Sequence, residues 1–125
     1  SVQDVLKRQL RKTISYHDEG EAFYHGFLLG LLSSIQGYHI RSNRESGNGR
    51  PDILLIPLDE TQPVIIIEIK QAVKFHQMEN GCDKALEQIR CQDYAAGVLD
   101  EGYENILEYG ICFCKKSCVV KGRKG

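Results

Sequence analysis

Nowhere does this 125-residue sequence run for the ~20 consecutive apolar residues that a membrane-spanning helix needs, so no membrane partner is expected. Its opening residues lack a basic stretch followed by an apolar one, so no secretory leader is expected; the start on Ser1 suggests a piece excised from a longer chain. It also lacks an excess of positive charge: sixteen Lys and Arg stand against seventeen Asp and Glu, a net charge of −1. A chain that served only to sheathe nucleic acid would be basic overall. An even set of cysteines is missing too. The five present, Cys82, Cys91, Cys112, Cys114 and Cys118, are spaced unlike a disulfide framework, and a reducing, intracellular (cytoplasmic) setting is expected. There is no internal repeat and no low-complexity block.

What is there suffices for one packed domain over residues 1–125: 42% of residues are apolar and 26% charged. It is expected to divide into an N-terminal helix and connector (1–17), a core (18–121) and a basic tail (122–125). Val2, Val5, Leu6, Leu10 and Ile14 recur at helical spacing, which predicts an amphipathic helix. A second helix is predicted after Asp18, with Glu21 completing a capping box; its wide apolar face from Ala22 to Ile35 marks it as buried, and Gly37 ends it. A loosely alternating strand over Tyr38–Arg44 then leads through the turn residues Glu45–Gly49 into a second strand at Asp52–Ile56.

The most informative segment is Val64-Ile65-Ile66-Ile67-Glu68-Ile69-Lys70. Its β-branched, almost wholly apolar run predicts a central strand covered on both faces. A polar loop with Met78, Asn80 and Gly81 follows, then a helix over Asp83–Leu99, a break at Gly102, a strand over Ile106–Phe113, a turn at Lys115–Ser117 and a short strand at Cys118–Val120. The expected order is α-α-β-β-β-α-β-β, a mixed α/β (α+β) domain with helices flanking a central mixed sheet.

Charges at the end of a buried strand are costly unless something pairs with them. Residues two apart on a strand share a face, so Glu68 and Lys70 point together. Antiparallel pairing with the preceding strand would bring Asp52 beside Glu68. Two converging carboxylates make a hard-oxygen site suited to Mg²⁺ or Mn²⁺, and a neighbouring amine suits phosphodiester hydrolysis. A structural ion-pair cluster is the plainer explanation of the same residues. His25, on the buried helix, reads as a satisfied core histidine, and Cys112, Cys114 and Cys118 as buried free thiols.

Pro51-Asp52, a fifteen-residue gap and Glu68-Ile69-Lys70 resemble the motif of the PD-(D/E)XK nuclease superfamily. The surrounding Ser42–Ile53, and Ala85–Ile89 with Tyr94, resemble the nuclease-like domain found at the C-terminus of AAA-ATPase-like proteins. The resemblance implies a restriction-endonuclease-like core and a Mg²⁺- or Mn²⁺-dependent endo- or exonuclease, acting on DNA ahead of RNA. It implies catalytic roles for Asp52, Glu68, Lys70 and Gln88. Asp52, Glu68 and the backbone carbonyl of Ile69 would hold the metal, with Glu21 as a further acidic candidate and Glu45 as a second choice. Arg44, Arg50, Lys115 and Lys116 would contact the nucleic-acid backbone. An ATPase-like domain in the same parent chain and a homodimer are the other implied partners. Branches with a site glutamine commonly carry Gln-xxx-Tyr, whereas Gln88 and Tyr94 are six apart, so Tyr94 is read mainly as packing. The alternative is a nuclease fold retained as a catalytically weak module for binding nucleic acid or protein.

Overall fold

The computed structural model describes residues 1–12, 20–42 and 51–125. Four helices, α1 (Val2–Lys12), α2 (Glu21–Leu32), α3 (Met78–Cys91) and α4 (Tyr94–Asp100), accompany five strands: β1 (Tyr38–Ser42), β2 (Ile53–Pro57), β3 (Val64–Gln71), β4 (Ile106–Cys114) and β5 (Ser117–Lys124). The strands form one sheet in the order β1-β2-β3-β4-β5. Only β3 and β4 run parallel; α3 and α4 make the long connection between them, and the other neighbours are antiparallel. This is the expected mixed α+β architecture, consistent with a restriction-endonuclease-like fold. No helix among the described residues is long and apolar enough to cross a membrane.

The two-residue period of β3 sorts its side chains between two cores. Ile67 and Ile69 face α1 and α2, packing with Leu6, Leu10, Tyr24, Leu28, Ile53, Leu55, Ile111 and Phe113. Val64 and Ile66 face the other way, packing with Leu86, Ile89, Tyr94, Val98 and Ile106. Both faces are covered, which is why the strand reads as a continuous apolar run. Glu68 and Lys70 continue the Val64–Ile66 face, on the side of α3.

Several boundaries differ from the sequence reading, each for a local reason. α2 starts at Glu21 with Gly20 as its N-cap, and no side chain caps it; Asp18 lies outside the described residues. α3 begins at Met78, preceded by a short 3₁₀ turn at Phe75–Gln77, so Asn80 and Gly81 are helical rather than a loop. Glycine is required at 81 by packing, because a Cβ there would run into the Cys112 thiol. The expected single helix over 83–99 breaks after Cys91, where Asp93 takes a left-handed conformation (φ 55°). β5 runs on to Lys124, so residues 122–124 are paired with β4 instead of forming a tail. Arg123 is fixed there, donating to Glu108 at 2.5 Å and to the Leu86 carbonyl at 2.8 Å.

Gly110 of β4 settles how closely α3 lies on the sheet. A Cβ at 110 would sit 2.6 Å from the Cys82 carbonyl oxygen and 3.0 Å from the Ala85 Cβ, so the helix backbone rests directly on this glycine. Lys121 adds a bond to Asp83 at 2.9 Å. These contacts place the middle of α3, including Gln88, beside the end of β3.

Candidate active site

β2 and β3 pair antiparallel with Ile53 opposite Ile67. One further step along the same register sets Asp52 opposite Glu68. At that step the side chains take over from the backbone ladder. The Asp52 backbone N–H donates to Glu68 Oε1 at 2.9 Å, and the Ile69 N–H donates to Asp52 Oδ2 at 2.8 Å. Each carboxylate therefore fastens the other strand while keeping lone pairs for a further partner.

Burial and mutual repulsion set the electrostatics. Glu68 is 1% exposed and Asp52 8%. Loss of water, then the charge of Asp52, push the Glu68 carboxyl up to about 8, against the opposing pull of the Asp52 N–H and of Lys70. Two acidic groups held this way are short of one thing, positive charge. Lys70 supplies part of it, but its Nζ is turned to Gln88 of α3, donating to Oε1 at 2.5 Å.

Tyr94, at the start of α4, packs in the core beside Ile89 and Val98 as the sequence reading had it. Its ring, however, carries the hydroxyl to the site. That hydroxyl is buried and completes no hydrogen bond of good geometry, although the Gln88 side chain lies beside it. Burial and the charge of Glu68 raise its pKa, with the Gln88 side chain opposing and Asp52 adding to the rise. A buried hydroxyl so poorly partnered, beside two crowded carboxylates, fits a site that takes a further polar occupant. The donor set is hard oxygen throughout, and an ion that keeps several of its waters needs only one or two carboxylates. The residues present therefore fit a divalent cation such as Mg²⁺. No trio of His, Cys, Asp and Glu side chains gathers around one point among the described residues.

The other candidates fall in different places. Glu21 is exposed in the first turn of α2 and does not join the carboxylate pair. Glu45, Arg44 and Arg50 lie outside the described residues. Lys115 and Lys116 form the turn between β4 and β5, with the Lys115 ammonium 5.7 Å from the centre of the Phe75 ring. His25 is a core histidine, 4% exposed, its Nε2 2.7 Å from Ser42 Oγ. Cys82, Cys112, Cys114 and Cys118 are buried free thiols, and burial raises the pKa of each.

Two features of the site escaped the sequence. One is the Tyr94 hydroxyl, whose signal was the nearby Gln88 at an unusual spacing. The other is a polar groove of about 590 Å³ that leaves Lys70 and Gln88 past Gln71, Val73, Gln77 and Lys84, with Glu87 also on its wall. No linear pattern marks that groove, because it forms only when α3 settles against β3.

A family model described as the PD-(D/E)XK nuclease superfamily matches residues 19–123 of the chain. No curated protein and no solved structure matches it.

Proposed function

The chain belongs to the PD-(D/E)XK nuclease superfamily, a class of nuclease-type phosphodiesterases, and from that premise we propose that it hydrolyses phosphodiester bonds of nucleic acid, DNA ahead of RNA, with a bound divalent metal. The observation that carries this reading is the reciprocal hold between Asp52 and Glu68 beside Lys70. Asp52, Glu68 and the Ile69 carbonyl would hold Mg²⁺ or Mn²⁺. A bound ion there would supply Lewis acidity toward a water and a phosphoryl oxygen. Lys70, tethered by Gln88, orients that water and steadies negative charge on the phosphoryl group. Burial of both carboxylates limits screening of their charge by bulk water. Lys115, Lys116, Arg44 and Arg50 are the proposed backbone contacts, which position the strand without reading bases. The proposed setting is intracellular, with an ATPase-like domain in the same parent chain and a homodimer as candidate assemblies.

The test is cleavage of a labelled DNA by the purified protein with Mg²⁺ or Mn²⁺, comparing the unaltered chain with Asp52→Asn, Glu68→Gln and Lys70→Met. Cleavage by the unaltered chain alone supports the reading. Equal cleavage by all four proteins removes this site from the chemistry.

A further inference from the structure

β3 and β4 run parallel, so the segments that follow them emerge at the same end of the sheet, next to Lys70. One is Ala72–Gln77, the other the Lys115–Lys116 turn. The first presents Val73 at 81% and Phe75 at 57% exposure, an unusual concentration of apolar surface for a segment that also carries Lys74 and His76. It is not loosely held. The Ala72 N–H donates to the Phe113 carbonyl at 2.8 Å, the Gln77 N–H to the Lys74 carbonyl at 3.0 Å and the Lys74 N–H to Gln77 Oε1 at 3.2 Å. Met78, the next residue, is buried at 4% exposure.

The facing turn is held as firmly. Lys115 adopts a left-handed conformation (φ 54°), and its carbonyl accepts the Tyr24 hydroxyl at 2.8 Å. Tyr24 is itself stacked on Phe113 at 4.5 Å. This support sets the Lys115 ammonium over the Phe75 ring and leaves more than half of that residue open to solvent. The groove opens beside this segment, at Val73 and Gln77 on either side of Phe75, and runs to Lys70 and Gln88.

We propose that Phe75 is a stacking platform for an unpaired base of a single-stranded nucleic acid, with Lys74, Lys115 and Lys116 on the adjoining phosphates and the strand continuing along the groove to Lys70. An aromatic face backed by a cation suits a base, because every base offers a π surface and its neighbours carry negative charge. A duplex hides those surfaces in its own stack, so the platform selects strands whose bases are free. The proposal rests on the nuclease reading for its substrate class and names the form of that substrate. Continuity with the groove favours a nucleic acid over a lipid surface as the partner of this apolar, basic rim.

The test uses the full chain in EDTA, where cleavage is suppressed, with a fluorescently labelled oligothymidine, a duplex of equal length and vesicles of anionic lipid. The sequence contains no tryptophan, so Phe75→Trp introduces a single indole reporter. The single strand is expected to bind at least about tenfold tighter than the duplex, Phe75→Ala to weaken it at least about fivefold, the low end for one stacked base, and Phe75→Trp to retain affinity with the indole quenched on saturation. Unchanged affinity in Phe75→Ala, an indole blind to bound oligonucleotide, or an indole that responds to vesicles and not to oligonucleotide would each overturn the proposal. No single-strand binding by the unaltered chain, with its Mg²⁺-dependent cleavage intact, sinks the platform alone. Binding as expected without any cleavage sinks the catalytic reading and leaves the platform standing.

Discussion

Asp52 and Glu68 hold each other across adjacent strands: the backbone N–H of Asp52 is 2.9 Å from Glu68 Oε1, and the Asp52 carboxylate takes the N–H of the residue after Glu68. The pair is thus a structural clasp and a holder of one proton at once, since burial and Asp52 push the Glu68 carboxyl up to about 8. That double role gives the site properties that can be read without a substrate.

The first is a dependence of stability on pH. The Glu68 carboxyl is raised from 4.5 to about 8 in the folded chain by burial and by Asp52. The folded protein therefore keeps a proton that the unfolded chain releases across this window. The contribution of Glu68 is fully present below about pH 4.5 and is lost as pH rises through about 8. Urea midpoints in EDTA should fall across that range, and Glu68→Gln, which mimics the protonated form, should remove that part of the fall. Parallel curves for the two proteins would show that Glu68 titrates normally.

Gln88 bears on the position of Lys70 through the bond that it accepts from the Lys70 amine. Gln88→Leu removes the acceptor for the Lys70 amine. We expect kcat to drop by about ten- to hundredfold, the scale of a misplaced reacting group, with Mn²⁺ affinity unchanged. A variant with full kcat would make Gln88 a rim residue with no part in the reaction.

The Tyr94 hydroxyl can be separated from its ring. Tyr94→Phe deletes a buried hydroxyl whose one polar neighbour, Gln88, makes no well-formed bond to it, while the ring keeps its packing beside Ile89. Such a group costs about 1–3 kcal/mol when unsatisfied, so the metal-free variant should be at least as stable as the parent in thermal unfolding. Cleavage should nevertheless fall, since the hydroxyl is the polar group left for an occupant of the site. A clear loss of stability would mean that the hydroxyl is already satisfied in the free protein.

At Gly110 the expectation concerns docking. A valine there would press on the Cys82 carbonyl and on Ala85, both on the inner face of α3. Overpacking of this kind costs about 1–3 kcal/mol, and lifting α3 carries Gln88 away from Lys70. Gly110→Val should lower both the melting temperature and the cleavage rate. Retention of both would show that α3 does not depend on the close approach.

Much of this was legible in the sequence, and the exceptions share one cause. The Val64–Lys70 run declared a central strand, and the two-residue period with antiparallel pairing was enough to join Asp52, Glu68 and Lys70. What the chain could not declare were features made by packing between distant elements. Gly81 looked like a loop signal, yet it is helical, and it is glycine because the Cys112 thiol occupies the space of a side chain. Arg123 looked like part of a basic tail, yet it pairs with Glu108 inside β5. Asp93 ends a helix that its neighbours would have continued, since aspartate tolerates the left-handed conformation. The Tyr94 hydroxyl and the Phe75 ring gain their meaning only from what faces them.

The central claim is that Asp52 and Glu68 together bind one divalent cation, and calorimetric titration of the purified protein with Mn²⁺ at pH 7 tests it most directly. One saturable site is predicted, with proton release that scales the observed heat with the ionisation enthalpy of the buffer, because Glu68 must lose its proton to bind. Both the heat and the proton release should vanish in Asp52→Asn and in Glu68→Gln. No saturable binding in the unaltered chain, or binding that survives both substitutions, would contradict the account.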